Sequence, residues 1–236
     1  MTPERGASSR ILLVIRCLDL VFSLAALLLF SPLVLLIAIA LRFTGEGEIL
    51  YRQIRIGKRG REFHLLKFAT MIKNSPTMGS GELTMPNDQR VLPVGRFLRK
   101  TKLNELPQLL NVVAGDLSLI GPRPQTHRYY YCYRPADRVW IDTIRPGLSG
   151  AGSILFRDEE TLLTKVSDPI AFDDQVITPY KGQVEHWFAV NQSVSLYFEL
   201  IFTTILVVLL PSSGLQKRLL SRVPPPPAEL SNLLSS

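Results

Sequence analysis

The sequence predicts a helix-rich, mixed α/β protein with a membrane-inserted helix near its N-terminus. Residues 20–41 contain no charge, and a helix of that length can cross a bilayer. Short segments between residues 48 and 68 have the composition of strands, whereas most of the later chain has the spacing of amphipathic helices. A hydrophobic content of 46% over 236 residues is enough for one folded domain besides the membrane segment.

The apolar segment contains Ser31 and Pro32 in its middle. Proline removes one backbone hydrogen bond and clashes with an earlier carbonyl, so we expect the helix to bend or break there. Basic residues flank the segment on both sides, so the positive-inside rule gives no clear asymmetry. A single transmembrane span is the simplest interpretation, but a re-entrant helix-break-helix with both ends cytoplasmic explains both features. We predict that residues 1–45 form this membrane anchor.

The rest of the chain is divided into a domain, residues 46–222, and a tail, residues 223–236. The domain is predicted to begin with a hairpin of two strands, Glu48–Gln53 and Phe63–Phe68. A second apolar stretch, Leu200–Leu210, is too short to span a membrane and predicts a core or interfacial helix. The tail combines a proline run with serines, which predicts an extended, disordered end.

The charge of the chain favours an anionic partner, since the formal net charge is +7. Its basic residues are spread among prolines and glycines rather than along one helix, and no nucleic-acid-binding motif is present, so we predict no nucleic-acid partner. Cys17 and Cys132 are the only cysteines. A disulfide framework or a multi-cysteine metal site is therefore excluded.

Residues 99–124 contain the densest mixture of cations, carboxylates, prolines and glycines. Arginines bind phosphoryl oxygens with two parallel hydrogen bonds, and carboxylates such as Glu105 and Asp116 can hold Mg²⁺. Prolines stand on both sides of Arg123 and restrict its backbone, which would fix the guanidinium. This mixture is what diphosphate chemistry with Mg²⁺ requires.

A structural interpretation of the same residues stays open. Asn104 is a good N-cap for a helix beginning there, and Glu105 in the first turn is favoured by the helix dipole without any catalysis. Asp116, which follows Gly115, is of a type common in turns.

The order of these motifs resembles the bacterial sugar transferase family, the monotopic phosphoglycosyl transferases. The resemblance covers residues 15 to about 210, and several motifs in a fixed order are more specific than any one of them. The matching motifs are Ser31-Pro32, Tyr51–Gly57, Lys67–Met71, Leu98–Leu109, Asn111-Val112, Gly115–Ser118, Gly121–Pro124 and Arg145–Gly147.

The resemblance implies an enzyme that transfers a sugar-1-phosphate from a nucleotide-diphosphate sugar to polyprenyl phosphate. It further implies Mg²⁺ dependence, release of a nucleoside monophosphate, and a catalytic domain on the cytoplasmic face of the bacterial inner membrane. A homo-oligomer is compatible with it.

The family has an Asp-Glu catalytic pair at the position of Asn104 and Glu105, with the aspartate as nucleophile on the β-phosphorus. Here the aspartate is replaced by asparagine. By the same resemblance Glu105 would bind Mg²⁺, and we predict Asp116 as a second catalytic and metal-binding carboxylate. The residues predicted to contact phosphate or nucleotide are basic: Arg99, Arg123, Lys67 and Arg145.

The replaced nucleophile leaves two functional hypotheses. In the first, the chain is an active transferase in which Glu105 attacks phosphorus or polyprenyl phosphate attacks directly. In the second, the chain is a catalytically inactive membrane scaffold of the same family. Asn104 favours the second hypothesis, whereas the presence of Glu105, Arg99 and Arg123 favours the first.

Overall fold

A computed structural model describes residues 8–79, 84, 87–210 and 214–235 of the chain. In chain order the elements are α1 (Ser9–Phe43), β1 (Leu50–Ile56), β2 (Glu62–Phe68), α2 (Pro93–Lys100), α3 (Gln108–Ala114), β3 (Ser118–Ile120), α4 (His127–Cys132), α5 (Pro135–Ile141), β4 (Gly147–Ser149), α6 (Ala151–Leu155), α7 (Glu159–Leu163), α8 (Pro169–Phe172), α9 (Thr178–Asn191), α10 (Val194–Leu209), α11 (Gln216–Leu220) and α12 (Ala228–Ser235). The predicted helix-rich α/β class is confirmed.

Helix α1 is one uninterrupted helix, long and apolar enough to cross a membrane. Its first turn is capped by Ser8, whose side chain accepts a hydrogen bond from the Ile11 N–H. Pro32 cannot donate to the Leu28 carbonyl, but the Ser31 hydroxyl donates to that oxygen at 2.8 Å. Since this bond replaces the missing backbone partner, helical conformation continues through Pro32. The expected break in the helix is therefore not present, and the expected bend at Pro32 stays a prediction.

The two ends of α1 both pack on the folded domain, while its middle is exposed. Ile15 belongs to the main hydrophobic core, and Leu41 is buried in a second cluster with Phe68 and Leu98. Between them, Leu28 and similar side chains are largely exposed, with Leu28 itself 79% exposed. An apolar surface therefore lies between two anchoring contacts.

The first anchoring contact of α1 includes the buried carboxylate of Asp19. Its Oδ1 accepts hydrogen bonds from the Ser118 hydroxyl, the Leu119 N–H and the Tyr197 hydroxyl at 2.9 to 3.0 Å. These donors belong to β3 and α10. A charged side chain on α1 is thus satisfied entirely by the domain, which fixes the rotation of the helix.

Strands β1 and β2 form the predicted antiparallel hairpin, with Leu50 opposite Phe68 and Ile56 opposite Glu62. Asn111 of α3 extends the hydrogen bonding of β2. Its Oδ1 accepts from the Leu66 N–H at 3.0 Å, and its Nδ2 donates to the His64 carbonyl at 2.8 Å. This side chain therefore holds α3 against the hairpin.

Strands β3 and β4 form a short parallel pair, with Ser118 opposite Gly147 and Ile120 opposite Ser149. The strands lead into Gly121 and Gly150, whose backbones are in close contact. A Cβ atom on Gly150 would lie 2.1 Å from the Gly121 carbonyl oxygen, so the approach requires glycine. This contact positions the loop at residues 121–124.

The C-terminal half packs around α9, whose buried side chains Tyr180, Val184 and Phe188 recur at helical spacing. One π-helical turn, Asp173–Ile177, joins α8 to α9.

The expectation of a disordered tail is wrong for residues 228–235, which form α12 with Leu230 fully buried. The Tyr180 hydroxyl also donates to the Pro224 carbonyl at 2.8 Å, so burial and hydrogen bonding together hold this segment on the core.

Candidate active site

A cleft of about 1520 Å³ lies between the hairpin, the 103–105 turn and the C-terminal helices. Three groups of side chains line it. The cationic floor is Arg55, Lys67, Arg99, Lys102 and Arg123; the acidic wall is Glu159, Asp173 and Glu185; the apolar wall is Phe22, Phe30, Phe198, Phe202 and Ile205. The apolar wall comes from α1 and α10, so the cleft is open to an amphiphilic ligand.

Glu105 reaches the cleft from a 3₁₀ turn, Leu103–Glu105, that precedes α3. Lys102 enters this turn with φ of 59°, a conformation that non-glycine residues adopt rarely and that often marks functional sites. The helix expected to begin at Asn104 begins instead at Gln108. Asn104 does not act as an N-cap: its Oδ1 is buried and has no hydrogen-bond partner in the described part of the chain.

Glu105 pairs with Arg123, with 3.4 Å between the carboxylate Oε1 and the guanidinium Nη2. Burial alone would raise the pKa of Glu105, but the charges of Arg123, Lys67 and Lys102 outweigh it and lower the pKa below its ordinary value. The Glu105 carboxylate is therefore ionised at neutral pH.

The cationic floor carries more positive charge than Glu105 can balance. Burial lowers the pKa of Lys67 well below its ordinary value, and the neighbouring charges of Arg55 and Arg123 lower it further. Burial likewise lowers the pKa of Lys102. An anion bound here would reverse these effects, so the floor is suited to phosphate.

The loop that carries Arg123 is held from three sides. Its backbone N–H donates to Glu185 Oε1 at 3.2 Å. The Arg55 guanidinium donates to the Pro124 carbonyl at 3.1 Å, and the Gly147 N–H donates to the Pro122 carbonyl at 2.8 Å. These bonds, together with the two prolines, fix the loop from which the Arg123 side chain extends.

Two predicted site residues lie elsewhere. Asp116 is at the opposite end of α3 from Glu105, outside the cleft lining, and its Oδ2 accepts from Asn111 Nδ2 at 3.2 Å. The seven-residue helix α3, about 10 Å long, lies between the two residues. Arg145 also lies outside the cleft lining, and its Nε donates to the Gly115 carbonyl at 3.0 Å. The metal site shared by Glu105 and Asp116 and the nucleotide contact by Arg145 stay predictions, and this placement does not favour them.

The donor set at the cleft fits Mg²⁺ only if a substrate completes it. Among the described residues, no group of three or more His, Cys, Asp or Glu side chains is placed to hold a metal ion. Mg²⁺ is usually bound by one or two carboxylates together with substrate phosphates and water. Glu105 is an ionised carboxylate, and Asn104 Oδ1 is a buried acceptor without a partner in the described chain. These two oxygens and a bound diphosphate are a suitable set.

The acidic wall was not predicted from the sequence. Glu185 is 1% exposed and is followed four residues later by the buried Ala189, while Lys181 precedes it by four. A lysine and a glutamate at that spacing on a helix are typical of a solvent-exposed pair. Nothing local in the sequence therefore distinguishes Glu185 as buried.

The chain belongs to the family described as bacterial sugar transferase, which matches residues 10–211. Among its relatives, the exopolysaccharide production protein ExoY of Rhizobium meliloti is 38% identical over 69% of this chain and 76% of its own length. The UDP-glucose:undecaprenyl-phosphate glucose-1-phosphate transferase of Caulobacter vibrioides is 41% identical over 59% of this chain and 52% of that protein.

A third relative is the UDP-N-acetylgalactosamine-undecaprenyl-phosphate N-acetylgalactosaminephosphotransferase of Aeromonas hydrophila. It is 36% identical over 59% of this chain, and the match spans 33% of its length. The chain thus aligns with about a third of the Aeromonas protein and half of the Caulobacter protein.

Proposed function

We propose that the protein transfers a sugar-1-phosphate from a nucleotide-diphosphate sugar to polyprenyl phosphate, releasing a nucleoside monophosphate. The observation that supports this most strongly is one cleft that combines the cationic floor, the ionised Glu105 and the apolar wall. The named activities of the Caulobacter and Aeromonas relatives support the same reaction, with a UDP-sugar as donor.

The cationic floor would bind the diphosphate of the donor and the phosphate of the acceptor. Arg123 offers a planar fork for two phosphoryl oxygens, while Lys67 and Lys102 act as point charges. Their mutual repulsion is relieved when anions bind, so a bound phosphate favours the charged forms of Lys67 and Lys102.

The apolar wall would hold the first isoprene units of the acceptor. The rings of Phe22 on α1 and Phe198 on α10 are in edge contact, with centroids 6.2 Å apart. Exposed apolar side chains continue from this wall along both helices, including Leu29 and Phe202. A polyprenyl chain could therefore pass from lipid into the cleft without crossing a polar surface.

We also propose that α1 enters one leaflet and that both of its flanks are cytoplasmic. Both ends of α1 pack on the same domain, and the surface between them is apolar. Cysteines placed at Ser8 and Gly57 should react from the same side of the membrane. Reaction of Ser8→Cys only from the periplasm and Gly57→Cys only from the cytoplasm would reject this topology.

In the reaction, an oxygen nucleophile forms a bond to the β-phosphorus as the bond to the α-phosphate breaks. The nucleophile is either the Glu105 carboxylate or the polyprenyl phosphate itself, since Asn104 has no carboxylate. In the first case polyprenyl phosphate then attacks the same phosphorus, and the bond to Glu105 breaks. Mg²⁺ held by Glu105 and the Asn104 amide oxygen would neutralise charge on the diphosphate. Arg123 would stabilise the charge that develops on the transferred group.

The proposal is tested by incubating the full chain in lipid with Mg²⁺, polyprenyl phosphate and a panel of nucleotide sugars, and measuring nucleoside monophosphate release. We expect turnover with at least one UDP-sugar, a smaller loss in Asn104→Ala than in Glu105→Gln, and equal or faster turnover in Asn104→Asp. An acid-quenched search for phosphosugar on the protein separates the covalent route from the direct one. No turnover with any donor would favour the inactive scaffold.

A further inference from the structure

Glu185 is a buried acid that joins three segments at the edge of the cleft. It extends from α9 and accepts the Arg123 N–H at 3.2 Å through Oε1. The Gly152 N–H at the start of α6 also donates to this carboxyl group. A Cβ on Gly152 would lie 2.5 Å from Oε1, so the absence of a side chain at that position makes room for Glu185.

The second oxygen of Glu185 has a different environment. Oε2 is buried and has no hydrogen-bond partner within the described ranges. An ionised carboxylate with one unpartnered oxygen is costly to bury, whereas a protonated one carries no charge there. Burial accordingly raises the pKa of Glu185 to about 7, against the lowering effect of the two N–H donors.

Charged and titratable groups face Glu185 from several elements. Lys181 lies on the same helix, Arg123 lies on the loop, and Tyr133 lies between α4 and α5. Lys181 is itself paired with Glu159 and lies close to Asp173, whose pKa burial raises to about 6. Lys181 therefore interacts with Glu159 and Asp173 as well as with Glu185. Its charge does not fully compensate an ionised Glu185, so burial favours the protonated form of Glu185.

We propose that Glu185 is a positioning residue that works in its neutral form: it fixes the Arg123 loop through Oε1 and keeps negative charge away from the donor diphosphate. The inference rests on the proposed function, since it assumes that Arg123 binds phosphate. It adds a pH response of its own, which Glu185→Gln isolates because Lys67 and Lys102 are present in both the parent and the variant. When Glu185 loses its proton, a negative charge appears beside the phosphate-binding arginine and opposes the anionic ligand.

Glu185→Gln is the decisive variant, because glutamine reproduces the shape and hydrogen bonding of a neutral carboxylic acid but cannot ionise. The full chain in lipid nanodiscs would be titrated with UDP at about pH 6 and at about pH 8.5. We expect the dissociation constant of the parent to rise between these pH values by about tenfold more than that of Glu185→Gln. UDP ionises identically in both titrations, and Glu199→Gln, at an exposed site on α10, is the matched control.

Thermal unfolding gives a second readout that does not depend on ligand binding. A carboxyl group whose pKa is higher in the folded state than in the unfolded state gives stability that is complete below the unfolded pKa and lost as pH rises through the folded pKa. Between about pH 4.5 and about pH 7 the melting temperature of the parent should therefore fall relative to that of Glu185→Gln. Gly152→Ala, which displaces Oε1, should weaken UDP binding at both pH values by about tenfold.

Equal pH dependence of parent and Glu185→Gln in both readouts would overturn the proposal, as would parent-like UDP binding by Gly152→Ala. The proposed function fails separately. If UDP binds with the expected pH dependence but no sugar phosphate is transferred, only the transferase function is rejected. If UDP does not bind at all, the transferase function is rejected and the melting curves decide the role of Glu185.

Discussion

The two ends of α3 differ in what surrounds them. At the C-terminal end, the Arg16 guanidinium donates to the Val112 and Val113 carbonyls at 2.6 and 2.9 Å, and Arg145 donates to the Gly115 carbonyl. Both arginines thus satisfy carbonyls that a helix leaves unpaired and complement its dipole. At the N-terminal end, Glu105 lies beside the cleft together with the Asn104 amide oxygen, which has no hydrogen-bond partner among the described residues.

This difference shows why the same residue types have different roles at the two ends. Arg16 and Arg145 direct donors at backbone carbonyls of α3, whereas Arg123 presents its guanidinium to the cleft and to one carboxylate. We therefore expect substitutions at the Glu105 end to change turnover, and substitutions at the Asp116 end to change stability or nothing.

The largest effect is expected for Glu105→Gln. The amide cannot act as a nucleophile and brings no negative charge to Mg²⁺, so turnover should fall by at least about a thousandfold while the melting temperature stays close to that of the parent. Nucleoside monophosphate release measures the first quantity, and thermal unfolding measures the second. Activity within tenfold of the parent would contradict any chemical role for Glu105.

A smaller effect is expected for Arg123→Lys. Lysine keeps the charge but loses the planar fork, so kcat/KM for the donor should fall by about 10- to 100-fold. Arg145→Lys is the matched control at the other end of α3: it should lower the melting temperature and leave kcat/KM within about threefold of the parent, measured well below the unfolding transition. Equal losses of kcat/KM in Arg123→Lys and Arg145→Lys would contradict the assignment of a ligand-binding role to Arg123 alone.

The smallest effect is expected for Asp116→Asn. Its carboxylate accepts one hydrogen bond from Asn111, and an asparagine oxygen can accept the same bond. Turnover and the Mg²⁺ concentration for half-maximal activity should both stay within about twofold of the parent. A large increase in the Mg²⁺ requirement would place Asp116 near the metal and reject the separation of the two carboxylates.

The sequence predicted elements wherever the pattern is local. The hairpin and the apolar length of α1 follow from composition and spacing. The uninterrupted backbone at Pro32 was missed because the Ser31 hydroxyl replaces the lost hydrogen bond, a compensation that composition does not indicate. The helix of the tail was not predicted because the proline run before it indicates an extended chain. Burial of Leu230 against the core stabilises this helix, and the local sequence does not indicate that contact.

The structure brings some of the predicted site residues to the cleft and leaves others outside it. Glu105, Lys67, Arg99 and Arg123 all line the cleft, whereas Asp116 and Arg145 belong to the motifs but lie outside it. Glu185 is the opposite case. Its importance comes from Arg123 and Gly152, which are distant in sequence, and no spacing rule relates them.

The bonds from α1 to the domain have a practical consequence for anyone who wants a soluble fragment. Deleting α1 would remove Ile15 from the main core, the Asp19 acceptor from three donors, and the Arg16 donors from the end of α3. The domain without α1 would carry polar groups that have lost their partners and a newly exposed apolar surface. We expect it to aggregate in water. The domain therefore depends on α1 for its packing, and a soluble variant has to replace the exposed apolar side chains of α1 with polar ones instead of removing the helix.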